Sequence, residues 1–147
     1  MTEKDKFISH FREAQPNFSR SYAIILTKIG LTLPQYALLN HLAAAGTAQT
    51  MTHLSKKLHI SKPAVTNLTD RLEKIKCIKR LAHPKDRRIY LLQLQPRGKK
   101  VVQNIQTRVL WLLLKSFDQF NIQERKIIRR FYAALSQTIT NALIQKS

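Results

Sequence analysis

Acidic residues are scarce in this chain. Its 147 residues include 8 Asp and Glu against 26 Lys and Arg, a formal charge of +18 at pH 7. So few carboxylates leave little material for acid–base catalysis. No GxSxG, P-loop, GxGxxG or paired-carboxylate pattern occurs, so no enzymatic activity and no cofactor is expected. Cysteine is scarcer still. Cys77 stands alone, which excludes an intramolecular disulfide and a multi-Cys metal site. Three Gly and five Pro favour helices. The longest apolar run near the C-terminus, Val109–Leu114, is far too short to span a bilayer. The opening MTEKDKFISHF is polar and lacks an apolar signal core, so a cytoplasmic protein is expected.

The basic residues are clustered. Residues 51–100 hold 14 Lys and Arg and 3 acids, a surplus of +11 in a third of the chain. That density repels itself unless a polyanion is the partner. Nucleic acid is the expected polyanion, since nothing in the chain resembles a basic amphipathic terminus or lipidation signal. The ordinary apolar fraction, 44%, predicts a folded core.

The stretch Ser61–Arg88 organises the reading. Ser61 is a good N-cap and Pro63 suits a first helical turn. Val65, Leu68, Leu72 and Ile75 recur at three- and four-residue steps and make one face apolar. The opposite face carries Lys62, Thr66, Asn67, Thr69 and Arg71, side chains able to reach base edges and phosphates. A strand at Ile78–Leu81, a polar tip His83–Arg88 and a second strand at Ile89–Leu94 should follow. Helix, strand, basic tip and strand is the order of a winged helix-turn-helix.

Upstream, residues 4–13 predict a helical segment that Pro16 breaks or kinks. A second segment carries Tyr22, Ile25, Leu26 and Ile29, with Gly30 as its stop. Thr32 caps a helix with Pro34 in its first turn; Tyr36, Leu39, Leu42 and Ala43 face inward and Gly46 ends it. Thr47–Gln49 reads as a loop. Thr50 caps a short helix, 51–59, the first of the helix-turn-helix pair. Pro96 starts a helix that tolerates Gly98 and runs towards Phe117. Asn121 and Glu124 form a capping box for a last helix reaching about residue 144, with Ile127, Ile128, Phe131, Leu135, Ile139 and Leu143 on one side. The run Val109, Trp111–Leu114 is apolar nearly all round. Two identical chains packing these helices together would bury that surface.

The blocks LTLPQYALLNHLA, SKPAVTNLTDRLE and HPKDRRIYLLQLQPRG, in this order and spacing, resemble the MarR family of winged helix-turn-helix transcriptional regulators. The resemblance covers essentially the whole chain as one protomer, mainly α with a small β wing. It implies a DNA-binding lobe at 31–95 and a helical dimerisation lobe from 1–30 and 96–147. Ser61, Lys62, Pro63, Ala64, Thr66, Asn67 and Arg71 would lie on the helix placed in the major groove. Arg88 would enter the minor groove, where a narrow groove concentrates negative potential. Asp86 would hold that Arg by a bidentate pair. Lys85 and Arg87 would contact phosphate. The expected partners are double-stranded DNA, at a pseudo-palindromic operator, and a second copy of the chain. Repression is the commoner mode in the family. A small aromatic or anionic effector is a third expected partner, with Tyr36 and Trp111 as candidates to line its pocket; both also fit a core or interface.

The chain departs from the family pattern at His83, where Asp is usual; at Lys76, where Gly is frequent; and at Gln95, where Thr often caps the next helix. Family members that sense peroxide use a Cys in the first helix, which this chain lacks. Cys77 reads as a small core residue. His10, His41, His53, His59 and His83 are scattered and predict no metal site. Two other classes fit less well. A sequence-tolerant architectural nucleic-acid protein would suit the charge but needs only Lys and Arg, not an ordered polar helix face. A protein-binding module leaves the basic wing unexplained.

Overall fold

A computed structural model describes residues 1–144; the side chain of Leu143, expected on the apolar face of the last helix, lies outside the described residues. Helices account for most of the chain. α1 spans Glu3–Lys28, α2 Leu33–Ala45, α3 Met51–Leu58, α4 Lys62–Lys74, α5 Pro96–Phe117 and α6 Ile122–Ile144. The strands are β1 (Gln49–Thr50), β2 (Ile78–Ala82) and β3 (Tyr90–Leu94). They form one antiparallel sheet in the order β1-β3-β2, with Ile78 opposite Leu94 and Ala82 opposite Tyr90.

Local chemistry sets most helix ends. Thr32 and Gln35 form a capping box at α2, the threonine hydroxyl accepting from Gln35 N–H and the glutamine side chain from Thr32 N–H. Thr50 accepts from His53 N–H, Ser61 from Ala64 N–H, and Asn121 from Glu124 N–H. Gly30, at φ 71°, closes α1: its N–H reaches Thr27 O while Leu31 N–H reaches Leu26 O. That pair of bonds is the Schellman ending, which needs a residue of positive φ. Lys76 holds the same position after α4, at φ 60°, without the freedom of a glycine.

Two expectations fail. Pro16 does not interrupt α1, which runs through it unbroken. The proline removes one N–H on an exposed helix, where water can serve the freed carbonyl, and the Asn17 side chain donates to Glu13 O one turn back. Thr47–Gln49 is not wholly loop. Gln49 and Thr50 pair with Leu92 and Leu91, so a third strand lines the sheet just before α3.

The chain forms two compact units, Met1–Val109 and Leu110 onward. The first holds the core: Leu26, Leu38, Leu39, Leu42, Leu54, Val65, Leu72, Ile78, Leu92 and Ile105 are all at most 2% exposed. Cys77 lies among them, and burial pushes its thiol pKa up against the opposing influence of Arg97. Gly98 is more than tolerated. A Cβ there would collide with Cys77 O and stand 2.8 Å from Leu94 Cδ1, so only glycine lets α5 approach the root of the wing. In the second unit, the Arg125 guanidinium donates to Phe117 O and Asp118 O and fixes the turn into α6.

Candidate nucleic-acid interface

The turn between α3 and α4 is closed by Ser55. Its hydroxyl donates to Ile60 O at 2.6 Å, and its carbonyl accepts Ile60 N–H at 3.1 Å. His59, in the left-handed conformation at φ 53°, redirects the chain. α4 then starts at Ser61 and drives Val65 and Leu72 into the core. Ser61, Lys62, Pro63, Thr66 and Asn67 are left exposed, with Ala64 half-buried between them. The Thr66 hydroxyl donates back to Lys62 O, which fixes its rotamer and leaves its oxygen outward as an acceptor.

Two residues of that face behave differently from expectation. Thr69 is fully buried, not on the groove side. Its hydroxyl donates to Thr66 O and accepts from the Arg80 guanidinium. Arg71 is exposed at the far end of α4, and its guanidinium donates to Gly30 O at the corner between α1 and α2, 3.0 Å away.

The wing tip is built from short-range bonds. His83 N–H reaches Ile89 O, and the His83 ring nitrogen Nδ1 accepts Lys85 N–H at 3.2 Å. His83 thereby shapes the turn. Asp86 accepts the backbone N–H of Arg88 at 2.9 Å, the self-closing geometry natural to an aspartate two residues upstream. The carboxylate therefore shapes the tip rather than gripping the Arg88 guanidinium as expected. Lys85, Asp86, Arg87 and Arg88 are all exposed. Three cations and one carboxylate, itself engaged with backbone, give the tip a positive surface suited to phosphates.

Arg80, in β2, escaped the sequence reading. Its guanidinium meets Thr69 Oγ1 at 2.7 Å, Asp70 Oδ1, and Glu73 Oε2 at 3.2 Å. Its own N–H donates to Glu73 Oε1 at 3.1 Å. The only sequence signal is an Asp and a Glu three apart on one helix, followed by an Arg in the next strand.

The effector candidates divide. Tyr36 is 7% exposed in the core of the first unit, its ring 5.8 Å from that of Tyr22. Burial first, and Tyr22 second, raise its phenol pKa. Trp111 is 55% exposed in the second unit, with the Lys115 ammonium 5.1 Å from its ring. A shallow concavity of about 450 Å³ lies elsewhere, lined by Phe120, Asn121, Ile122, Gln123 and Arg125 at the turn before α6. No three His, Cys, Asp or Glu converge on a metal-sized site among the described residues. His41 and His53 stack at 5.8 Å across α2 and α3, and His41 Nε2 is buried without a partner. Burial, then His53 and Lys57, push the His41 pKa down.

A helix-turn-helix followed by a two-stranded basic wing defines a winged helix-turn-helix protein of the DNA-binding class. The sequence pattern of the MarR family matches residues 29–89. An HTH-type transcriptional regulator of Bacillus subtilis, YsmB, is 30% identical over 106 residues, 72% of each chain. The chain belongs to the MarR family, whose members are transcriptional regulators, not enzymes. Among solved structures, a MarR family protein from Bacillus stearothermophilus superposes with a TM-score of 0.79 at 22% identity, over 95% of this chain and 99% of that one. MepR of Staphylococcus aureus, in its complex with DNA, superposes at 0.72 with 22% identity, over 88% of this chain and 96% of that one. At these identities the structures establish the fold. No single helix among the described residues is long and apolar enough to cross a membrane; α1 and α2 pass that test only jointly, bent by 90°.

Proposed function

We propose that this chain is a cytoplasmic, sequence-specific repressor that binds a pseudo-palindromic operator as a homodimer. The exposed N-terminal face of α4 is the observation that carries the reading. Lys62, Thr66 and Asn67 stand clear of the core there, followed by a tip that adds Lys85, Arg87 and Arg88. Asn and Thr can discriminate base edges, whereas a sequence-blind surface needs only cations. In this reading Ser61, Lys62, Pro63, Ala64, Thr66 and Asn67 face the major groove, Arg88 enters the flanking minor groove, and Lys85 and Arg87 hold phosphates, while Arg71 braces the far end of α4 against Gly30. Asp86 sets the tip that carries Arg88.

Dimerisation is supported by the bare apolar surface of the second unit: Trp111, Leu114, Ile122 and Ile127 are 55–70% exposed. A two-fold dimer would place its two α4 helices about one helical turn of DNA apart. A small aromatic or anionic effector that alters that spacing would shift the DNA-competent population. Trp111, beside Lys115, fits such a ligand better than the enclosed Tyr36.

The test selects operators from a random duplex pool and measures affinity by fluorescence anisotropy against a scrambled competitor. A preference of about 1000-fold is expected. Arg88→Ala should lower specific binding by roughly 1–3 kcal/mol. No preference for any selected duplex would replace this reading with the architectural one, which the charge of +18 would then carry.

A further inference from the structure

Beyond the apolar core that they share, the recognition helix and the wing are linked by the polar bonds of one residue, Arg80. Arg80 lies in β2 with its side chain 24% exposed, and every polar group it meets belongs to α4: Thr69, Asp70 and Glu73. Glu73 is held twice, one oxygen by the guanidinium and the other by Arg80 N–H. On the α4 side the chain of bonds continues outward, because Thr69 donates to Thr66 O and Thr66 belongs to the exposed face. On the wing side Arg80 is opposite Leu92, and two residues further Ala82 is opposite Tyr90 at the start of the tip. Two residues of strand span only about 7 Å. A planar guanidinium fork fixes direction as well as distance, which a lysine ammonium does not. Asp70 and Glu73 are also two of only eight acids in the chain, and Arg80 pairs with both and offsets one of their two charges beside the surface proposed to face phosphate.

We infer that Arg80 is a positioning residue that couples the recognition helix to the wing, so that major-groove and minor-groove contacts form as one unit. The inference rests on the operator-binding reading above. It touches no DNA itself. Its loss should uncouple two elements that each remain folded, since the core below α4 is made by Val65 and Leu72 and that below β2 by Ile78.

The test uses the full-length protein and two variants, Arg80→Met and Arg80→Lys. In the free protein, amide hydrogen exchange over residues 83–89 should quicken at least tenfold in Arg80→Met, while exchange in α2 stays unchanged. Equal exchange at the wing overturns the coupling, whether or not an operator is ever found. On a selected duplex, Arg80→Met should weaken specific binding at least tenfold. In an Arg88→Ala background the same change should weaken it less than threefold, because the wing contact it aligns is already gone. The salt slope of binding should not change, whereas loss of a phosphate contact would reduce it by about one. Arg80→Lys keeps the charge and loses the fork, and should fall between Arg80→Met and the unaltered protein. Equal losses in both backgrounds, a reduced salt slope, or full function in Arg80→Lys would each overturn the proposal. Failure of the unaltered protein to prefer any duplex, with wing exchange still responding to Arg80, would sink the operator reading alone.

Discussion

The two units of this chain contrast sharply in how they treat apolar side chains. Up to Val109, leucines and isoleucines from five helices and two strands close over one another and leave a dozen side chains with almost no exposure. From Leu110 to Ala142 no described side chain is buried, although Leu110, Trp111, Leu114, Ile122, Ile127 and Ile139 are all apolar and 50–70% exposed. Composition does not separate the units. The first unit is stabilised by its own chain, whereas the second carries a surface that one chain alone leaves in water. So many exposed apolar side chains in one unit support the proposed association between copies.

The largest expected effect breaks the contrast at its exposed side. Leu110→Asp combined with Ile127→Asp should weaken association between copies more than about 100-fold in sedimentation equilibrium, by placing charges where a partner would desolvate them. The urea midpoint of the isolated chain should hardly move. If association survives, the exposed face is not where copies meet. Leu39→Ala addresses the closed side. It should lower unfolding free energy by roughly 2–5 kcal/mol in urea titration, as cavity formation in a packed core does. A loss below about 1 kcal/mol would mean that the core is looser than its burial indicates.

Gly98→Ala tests the seam between α5 and the wing root. The added methyl collides with the Cys77 carbonyl, a backbone atom with no rotamer to yield, and should cost about 1–3 kcal/mol. Lys76→Gly should act in the opposite direction. Relief of a left-handed φ should raise stability by roughly 0.5–1 kcal/mol, read as a higher urea midpoint at unchanged slope. A decrease would show that the lysine side chain contributes more than its backbone strain.

What could be read from the sequence was mostly what is decided within one turn of chain. Thr32, Thr50, Ser61 and Asn121 were identifiable as caps because capping is settled three residues away. The apolar stripe of Val65, Leu68, Leu72 and Ile75 and the exposed trio Lys62, Thr66 and Asn67 follow from helical period alone. Longer-range partners were not legible. Thr69 looks like its polar neighbours, and only the guanidinium arriving from Arg80 explains its burial. Gln49–Thr50 has no strand pattern of its own; it becomes a strand because Leu91 and Leu92 are beside it. Gly98 sits in a helix where glycine looks merely tolerated, and its necessity comes from a carbonyl 21 residues earlier in the chain. Pro16 misled because the rule against proline inside helices assumes that the lost bond has no substitute, and an exposed helix has one in water.

The bond from Arg80 N–H to Glu73 has a consequence for how these molecules behave when crowded. β2 is an outer strand of the sheet, and an outer strand offers open donors and acceptors to any other extended chain. In its middle, the donor at Arg80 is already taken by a carboxylate from the neighbouring helix, and Lys79 beside it is an exposed cation. A second wing approaching edge to edge would have to displace an ion pair and bring lysine against lysine. The wing is thereby guarded against self-templated sheet growth, and the protein can reach the local concentrations of a DNA-coated surface without its strands pairing between molecules.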